Sequence, residues 1–115
     1  MPLKCLIIDD YQPFLKVARA KLEQQGMAVV GVAGNGAEAL RQARELRPDV
    51  ALVDISLGME SGFDVAREIS PCVGCVILIS TDDHDADDDY AELFAGSPAA
   101  LLRKPTAGLP AKSSA

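Results

Sequence analysis

Apolar residues in this chain fall into short runs, separated by longer stretches in which they recur every three or four positions. Runs at 3–8, 28–33, 50–53 and 76–79, with a weaker one at 99–102, barely alternate with polar residues, and the first four are rich in Val, Ile and Leu. That pattern predicts strands covered on both faces, as in a parallel sheet. Between the first two runs, Phe14, Val17, Ala18, Lys21 and Leu22 keep helical spacing, which predicts a helix over 12–25 with Pro13 in its first turn and Gly26 at its end. Asn35 is placed to cap a second helix that carries Ala39, Leu40 and Ala43 on one face and runs to Leu46, before Pro48 forbids its continuation. Ser61 is placed to open a third, with Phe63, Val65, Ala66 and Ile69, closed by Pro71 and Gly74. A fourth is predicted over 85–94, ahead of Gly96 and Pro98. This alternation of strand and helix implies a doubly wound α/β sheet of five parallel strands with right-handed crossovers and helices on both faces.

Composition narrows the picture. A length of 115 residues suits one domain with a real core, and 49% hydrophobic with 24% charged residues is ordinary globular composition. The net charge of −6 disfavours nucleic acid and anionic membranes as direct partners and makes a cation the more natural ligand. The run Leu6, Ile7, Ile8 meets Asp9 and Asp10 at once, so it is neither a signal-peptide core nor a membrane span, and a cytoplasmic location is expected. Cys5 lies in an apolar run as a small hydrophobe. Cys72 and Cys75 have C-x-x-C spacing, but zinc would need two more ligands and only Cys5 and His84 remain. The acidic run at 82–89, with six Asp, reads as a solvated helix start rather than a calcium loop, which would need a glycine and a terminal Glu at fixed positions.

The chemistry gathers where the apolar runs stop. In a parallel sheet of this kind ligands bind beyond the carboxyl ends of the strands. Those ends read Asp9-Asp10, Asp54, Ser80-Thr81 and Lys104-Pro105. Three carboxylates in one cleft repel one another, and a hard divalent cation relieves the conflict. Mg²⁺ suits best, because it takes a few carboxylate oxygens, keeps some water and accepts a phosphate oxygen. Phosphoryl transfer needs mainly positioning and charge stabilisation, which a cation, Lys104 and the Ser80 hydroxyl would supply to an attacking carboxylate.

With these residues in order, the chain resembles the receiver domains of bacterial two-component response regulators over residues 3–105. The resemblance implies a flavodoxin-like sheet in the order 2-1-3-4-5. It also implies Asp54 as phosphoacceptor, Asp10 as direct metal ligand, Asp9 acting through a water, and the Ser56 carbonyl as the third protein ligand to Mg²⁺. Ser80, which directly follows the apolar run, is the preferred switch hydroxyl over Thr81. Ser56 and Asp82 then take the two positions associated with dephosphorylation rate. Lys104 would be the family lysine, held by a Lys104-Pro105 bond that is usually cis in such domains. Leu101 stands where the family often has a switching aromatic, so the readout is expected to be blunter. The implied partners are a sensor histidine kinase and a second copy docked through the fourth helix and fifth strand. The domain would not be an enzyme in the turnover sense, but would catalyse its own phosphorylation and slow dephosphorylation. Residues 1–105 form the expected domain. In 106–115, Gly108 and Pro110 leave room for at most one turn, so a tail or the remnant of a fifth helix is expected.

Three rivals are weaker. An aspartyl-phosphate phosphatase or phosphotransferase generally needs a second acid two residues after the nucleophile, where Ser56 stands. A flavodoxin-like cofactor domain would not place Asp9-Asp10-Tyr11 against a phosphate. A degenerate receiver that only docks partners has no reason to keep the acidic set.

Overall fold

The computed structural model describes residues 2–80 and the strand at 99–103, with the backbone alone for Ser80 and for that strand. The predicted helix at 85–94, Thr81, Asp82, Lys104, the Lys104-Pro105 bond and the tail lie outside the described residues.

The described elements follow the predicted alternation: β1 (Lys4–Ile8), α1 (Gln12–Gln24), β2 (Ala28–Ala33), α2 (Gly36–Leu46), β3 (Val50–Asp54), a hairpin of β4 (Ser56–Leu57) and β5 (Glu60–Ser61), α3 (Gly62–Ile69), β6 (Cys75–Ser80) and β7 (Ala99–Arg103). The five longer strands form one sheet in the order β2-β1-β3-β6-β7, with every neighbouring pair parallel. This is the expected 2-1-3-4-5 sheet. The antiparallel hairpin is an addition that hydrophobic patterning did not predict.

Alternation along the strands sorts side chains to two faces. Leu6 and Ile8 join Ala51, Val53, Val76 and Leu78 beneath α2 and α3, which contribute Ala39, Ala43, Phe63, Val65, Ala66 and Ile69. Cys5 and Ile7 face the other way, against Phe14, Leu15 and Ala18 of α1. A bulge in the β1·β2 ladder inserts one residue between the partners of Cys5 and Leu6. Val29 and Val32, three apart, therefore pack on the same face as α1.

Helix ends show where local chemistry acts. Asn35 caps α2, its side-chain oxygen accepting from Glu38 N at 2.9 Å. Ser61 precedes α3 but its side chain makes no capping bond. After α3 the chain passes through a 3₁₀ turn at Ser70–Cys72, with Pro71 inside the turn rather than beyond it. The phase of α1 differs from the expectation: Leu15 is buried and Val17 is 36% exposed. Leu15 follows Phe14 on the sheet side, while Val17 sits at the edge of the apolar stripe.

Candidate functional site

Each acidic residue reaches the site because a strand ends there. Asp9 extends the ladder one residue past β1, its N–H donating to Ala33 O at 2.9 Å. Its carboxylate then turns the chain into α1: Tyr11 N donates to Asp9 Oδ1 at 2.8 Å, an arrangement that Asp favours at turns. Asp9 is fully buried, whereas Asp10, the next residue, is exposed. Asp54 is the last residue of β3, paired in register with Ile79 of β6 and only 2% exposed. Ligand oxygens of Asp9, Asp10 and Asp54 all lie within 4.8 Å of one another. The structure thus brings together the three carboxylates expected from sequence.

The donor set fits a hard cation. Three carboxylates, two of them buried, supply oxygen ligands alone, the preference of Mg²⁺ rather than of a softer metal. Like charges this close repel one another, and a bound cation would offset that repulsion.

The segment after Asp54 is fastened at several points. Ser56 N donates to Asp54 Oδ1 at 3.0 Å, fixing the carboxylate plane. Ile55 N reaches Ile79 O at 3.0 Å, and Gly62 N reaches Ile55 O at 2.9 Å. Leu57, 1% exposed, anchors β4 in the core, while Met59 at the hairpin tip is fully exposed. Gly58 has φ of 60°, and among the described residues it is the one member of its turn in the left-handed region. That is the II′ pattern, with glycine at the first central position. A Cβ there would lie 3.3 Å from Asp10 Oδ2, so the turn passes beside the acidic cluster.

Ser80 ends β6, one residue past Ile79, and its register partner is Arg103 of β7. This backbone register sets Ser80 on the strand neighbouring that of Asp54. Leu101 lies in β7 opposite Leu78. Sequence reasoning missed the hairpin and its contacts. The signal for it was Gly58 two residues before Glu60, a glycine able to open a two-residue turn.

The family model described as the response regulator receiver domain matches residues 5–108. A protein-glutamate methylesterase/protein-glutamine glutaminase of Myxococcus xanthus is 34% identical over 92% of this chain and 31% of its own length. The response regulator GacA of Pseudomonas syringae is 35% identical over 58% of this chain and 32% of its length. Among solved structures, the signal receiver domain of a modulated diguanylate cyclase from Desulfovibrio desulfuricans superposes with a TM-score of 0.77 at 33% identity, covering 91% of this chain and 83% of that one. The response regulator TrrA of Thermotoga maritima, solved in complex with Mg²⁺-BeF, shares the fold at a TM-score of 0.73 and 24% identity, covering 89% and 86%. The chain spans between 18% and 41% of the length of these and similar curated relatives.

Proposed function

Since the chain belongs to the response regulator receiver domain family, we propose that it is a phosphoryl-accepting signalling switch, with Asp54 as acceptor from a histidine kinase and Mg²⁺ as its metal. The observation that carries this reading is the convergence of the Asp9, Asp10 and Asp54 carboxylates, from two adjacent strand ends, within 4.8 Å.

In this reading Asp9, Asp10, Asp54 and the Ser56 carbonyl hold the metal. Bound Mg²⁺ supplies positive charge to the phosphoryl oxygens and offsets repulsion among the carboxylates. An Asp54 carboxylate oxygen attacks phosphorus in line with the phosphohistidine nitrogen. The O–P bond forms as the P–N bond breaks, the imidazole leaves to take up a proton, and an acyl phosphate remains on Asp54. The Lys104 ammonium and the Ser80 hydroxyl bind the transferred oxygens, over which charge is spread in the transition state. Ser56 N–H holds the Asp54 carboxylate in its plane before attack. Ser56 and Asp82, at the two positions the resemblance associates with dephosphorylation rate, would set the lifetime of the phosphorylated state.

Output follows from the Ser80 hydroxyl closing on the phosphoryl group and from repacking around Leu101 in β7. Both would bias a pre-existing equilibrium at the face expected of β7 and the helix predicted over 85–94, where a second copy would dock. Leu101 cannot present the alternative aromatic states of a Tyr or Phe, so the readout is blunter. The net charge of −6 leaves nucleic acid to whatever domain the signal reaches. No described helix is long and apolar enough to cross a membrane, and a cytoplasmic site of action suits a kinase-fed domain. The chemistry is that of a single-turnover acceptor with slow self-hydrolysis.

The test is labelling with acetyl phosphate in Mg²⁺, read by intact-mass spectrometry. Wild-type protein should gain one base-labile phosphoryl group and Asp54→Asn none. Equal labelling of the variant would overturn the acceptor assignment.

A further inference from the structure

The hairpin β4–β5 has only two residues in each strand, too few to hold its own shape in water. Yet it follows Asp54 directly, carries Ser56, and passes its turn beside Asp10. What fastens its second strand is a bond across the fold: Glu60 Oε1 accepts from Gly36 N at 2.8 Å. Gly36 is the first residue of α2, where backbone donors lack partners within the helix. Asn35 satisfies one of those donors, at Glu38, and Glu60 satisfies another from 24 residues away. A carboxylate at this end of the helix also interacts favourably with its dipole.

The fit at Gly36 is tight. A Cβ there would stand 2.5 Å from Glu60 Oε2 and 3.0 Å from Val65 Cγ2, so an alanine at this position would make the carboxylate end of Glu60 shift from where it meets the helix. Leu57 anchors one strand in the core and Glu60 ties the other to α2.

We propose that Glu60 is a positioning residue for the acidic site: its bond to Gly36 N holds the hairpin, and through it Ser56 and the Asp54 carboxylate, in the arrangement that binds Mg²⁺. This role rests on the metal-binding reading given above. It predicts reciprocity, because a metal that needs the hairpin in place must also strengthen the latch that keeps it there.

The test uses the full chain and two readouts, Mg²⁺ affinity by titration and hydrogen exchange at the Gly36 amide. Glu60→Ala and Gly36→Ala should each weaken Mg²⁺ binding by about tenfold, the loss typical of groups that orient a metal ligand. Glu60→Gln, which keeps an acceptor but loses the charge, should stay within about twofold of wild type. Mg²⁺ should slow exchange at Gly36 in wild type and not in Glu60→Ala. Wild-type affinity in Glu60→Ala would overturn the proposal while leaving the metal site intact. So would equal weakening by Glu60→Gln and Glu60→Ala with Gly36→Ala unaffected, since only charge would then matter. Absence of any Mg²⁺ binding by wild type would remove the metal-binding reading itself, and this role with it.

Discussion

Gly62 lies against the main chain of Asp54 so closely that a Cβ at Gly62 would collide with the Asp54 carbonyl oxygen and crowd Ile55 Cα. The same glycine donates its N–H to Ile55 O, so the start of α3 is clamped onto the strand end that carries the acceptor. Backbone cannot yield as a flexible side chain can. Gly62→Ala should therefore destabilise the fold by about 3 kcal/mol, the upper range for overpacking. Urea denaturation checks this, and an unchanged midpoint would refute it.

Mg²⁺ should stabilise the fold through Asp9, Asp10 and Asp54. At ten times its dissociation constant, a ligand bound only by the native state adds about 1.4 kcal/mol. Asp10→Asn should shrink that gain at the same Mg²⁺ concentration. Without metal it should be at least as stable as wild type, because one of three like charges is gone. Thermal unfolding with and without Mg²⁺ reads both effects, and an identical Mg²⁺ response in the variant would contradict the assignment.

Arg47 ends α2 with φ of 46° and ψ of 59°, a left-handed conformation usually given to glycine, and it does so directly before the buried Pro48. Its N–H still closes the helix on Ala43 O at 3.0 Å. Arg47→Gly should remove the steric cost, and part of that gain is offset by the added freedom of the unfolded chain. A net stabilisation of about 0.5 kcal/mol is expected. A lowered melting temperature would show that the Arg47 side chain contributes more than the strain costs.

Burial pushes the Cys5 thiol from 9.0 up to about 11. The folded chain therefore keeps a proton that the unfolded chain releases between those values. Its contribution to stability is fully present below pH 9 and is lost as pH rises toward 11. In Cys5→Ala the fall in stability across that window should be shallower by about 2 kcal/mol. Denaturant midpoints at pH 8 and pH 10.5 in both proteins give the comparison. Parallel pH profiles would place the thiolate in water. Near neutral pH, thiol reagents should modify half-buried Cys72 and Cys75 before Cys5.

Strand positions were legible in the sequence because a strand covered on both faces has to be apolar almost throughout, and the runs at 28–33 and 50–53 match β2 and β3 to within a residue. The acidic site was legible for the same reason: where an apolar run stops at Asp9, Asp10 or Asp54, the sheet edge begins. Helix phase was less so. Val17 and Leu15 are both apolar, and only docking α1 against Cys5, Ile7 and Ile79 decides that Leu15 goes inside. Asn35 carried its capping role in its own chemistry, whereas Ser61 had the same capacity and did not use it. The hairpin, the Glu60 bond to Gly36 and the clamp of Gly62 on Asp54 were decided by tertiary structure alone. Each joins groups whose fit depends on where α2 and α3 come to rest on the sheet, and neither residue type nor periodicity records a distance across the fold.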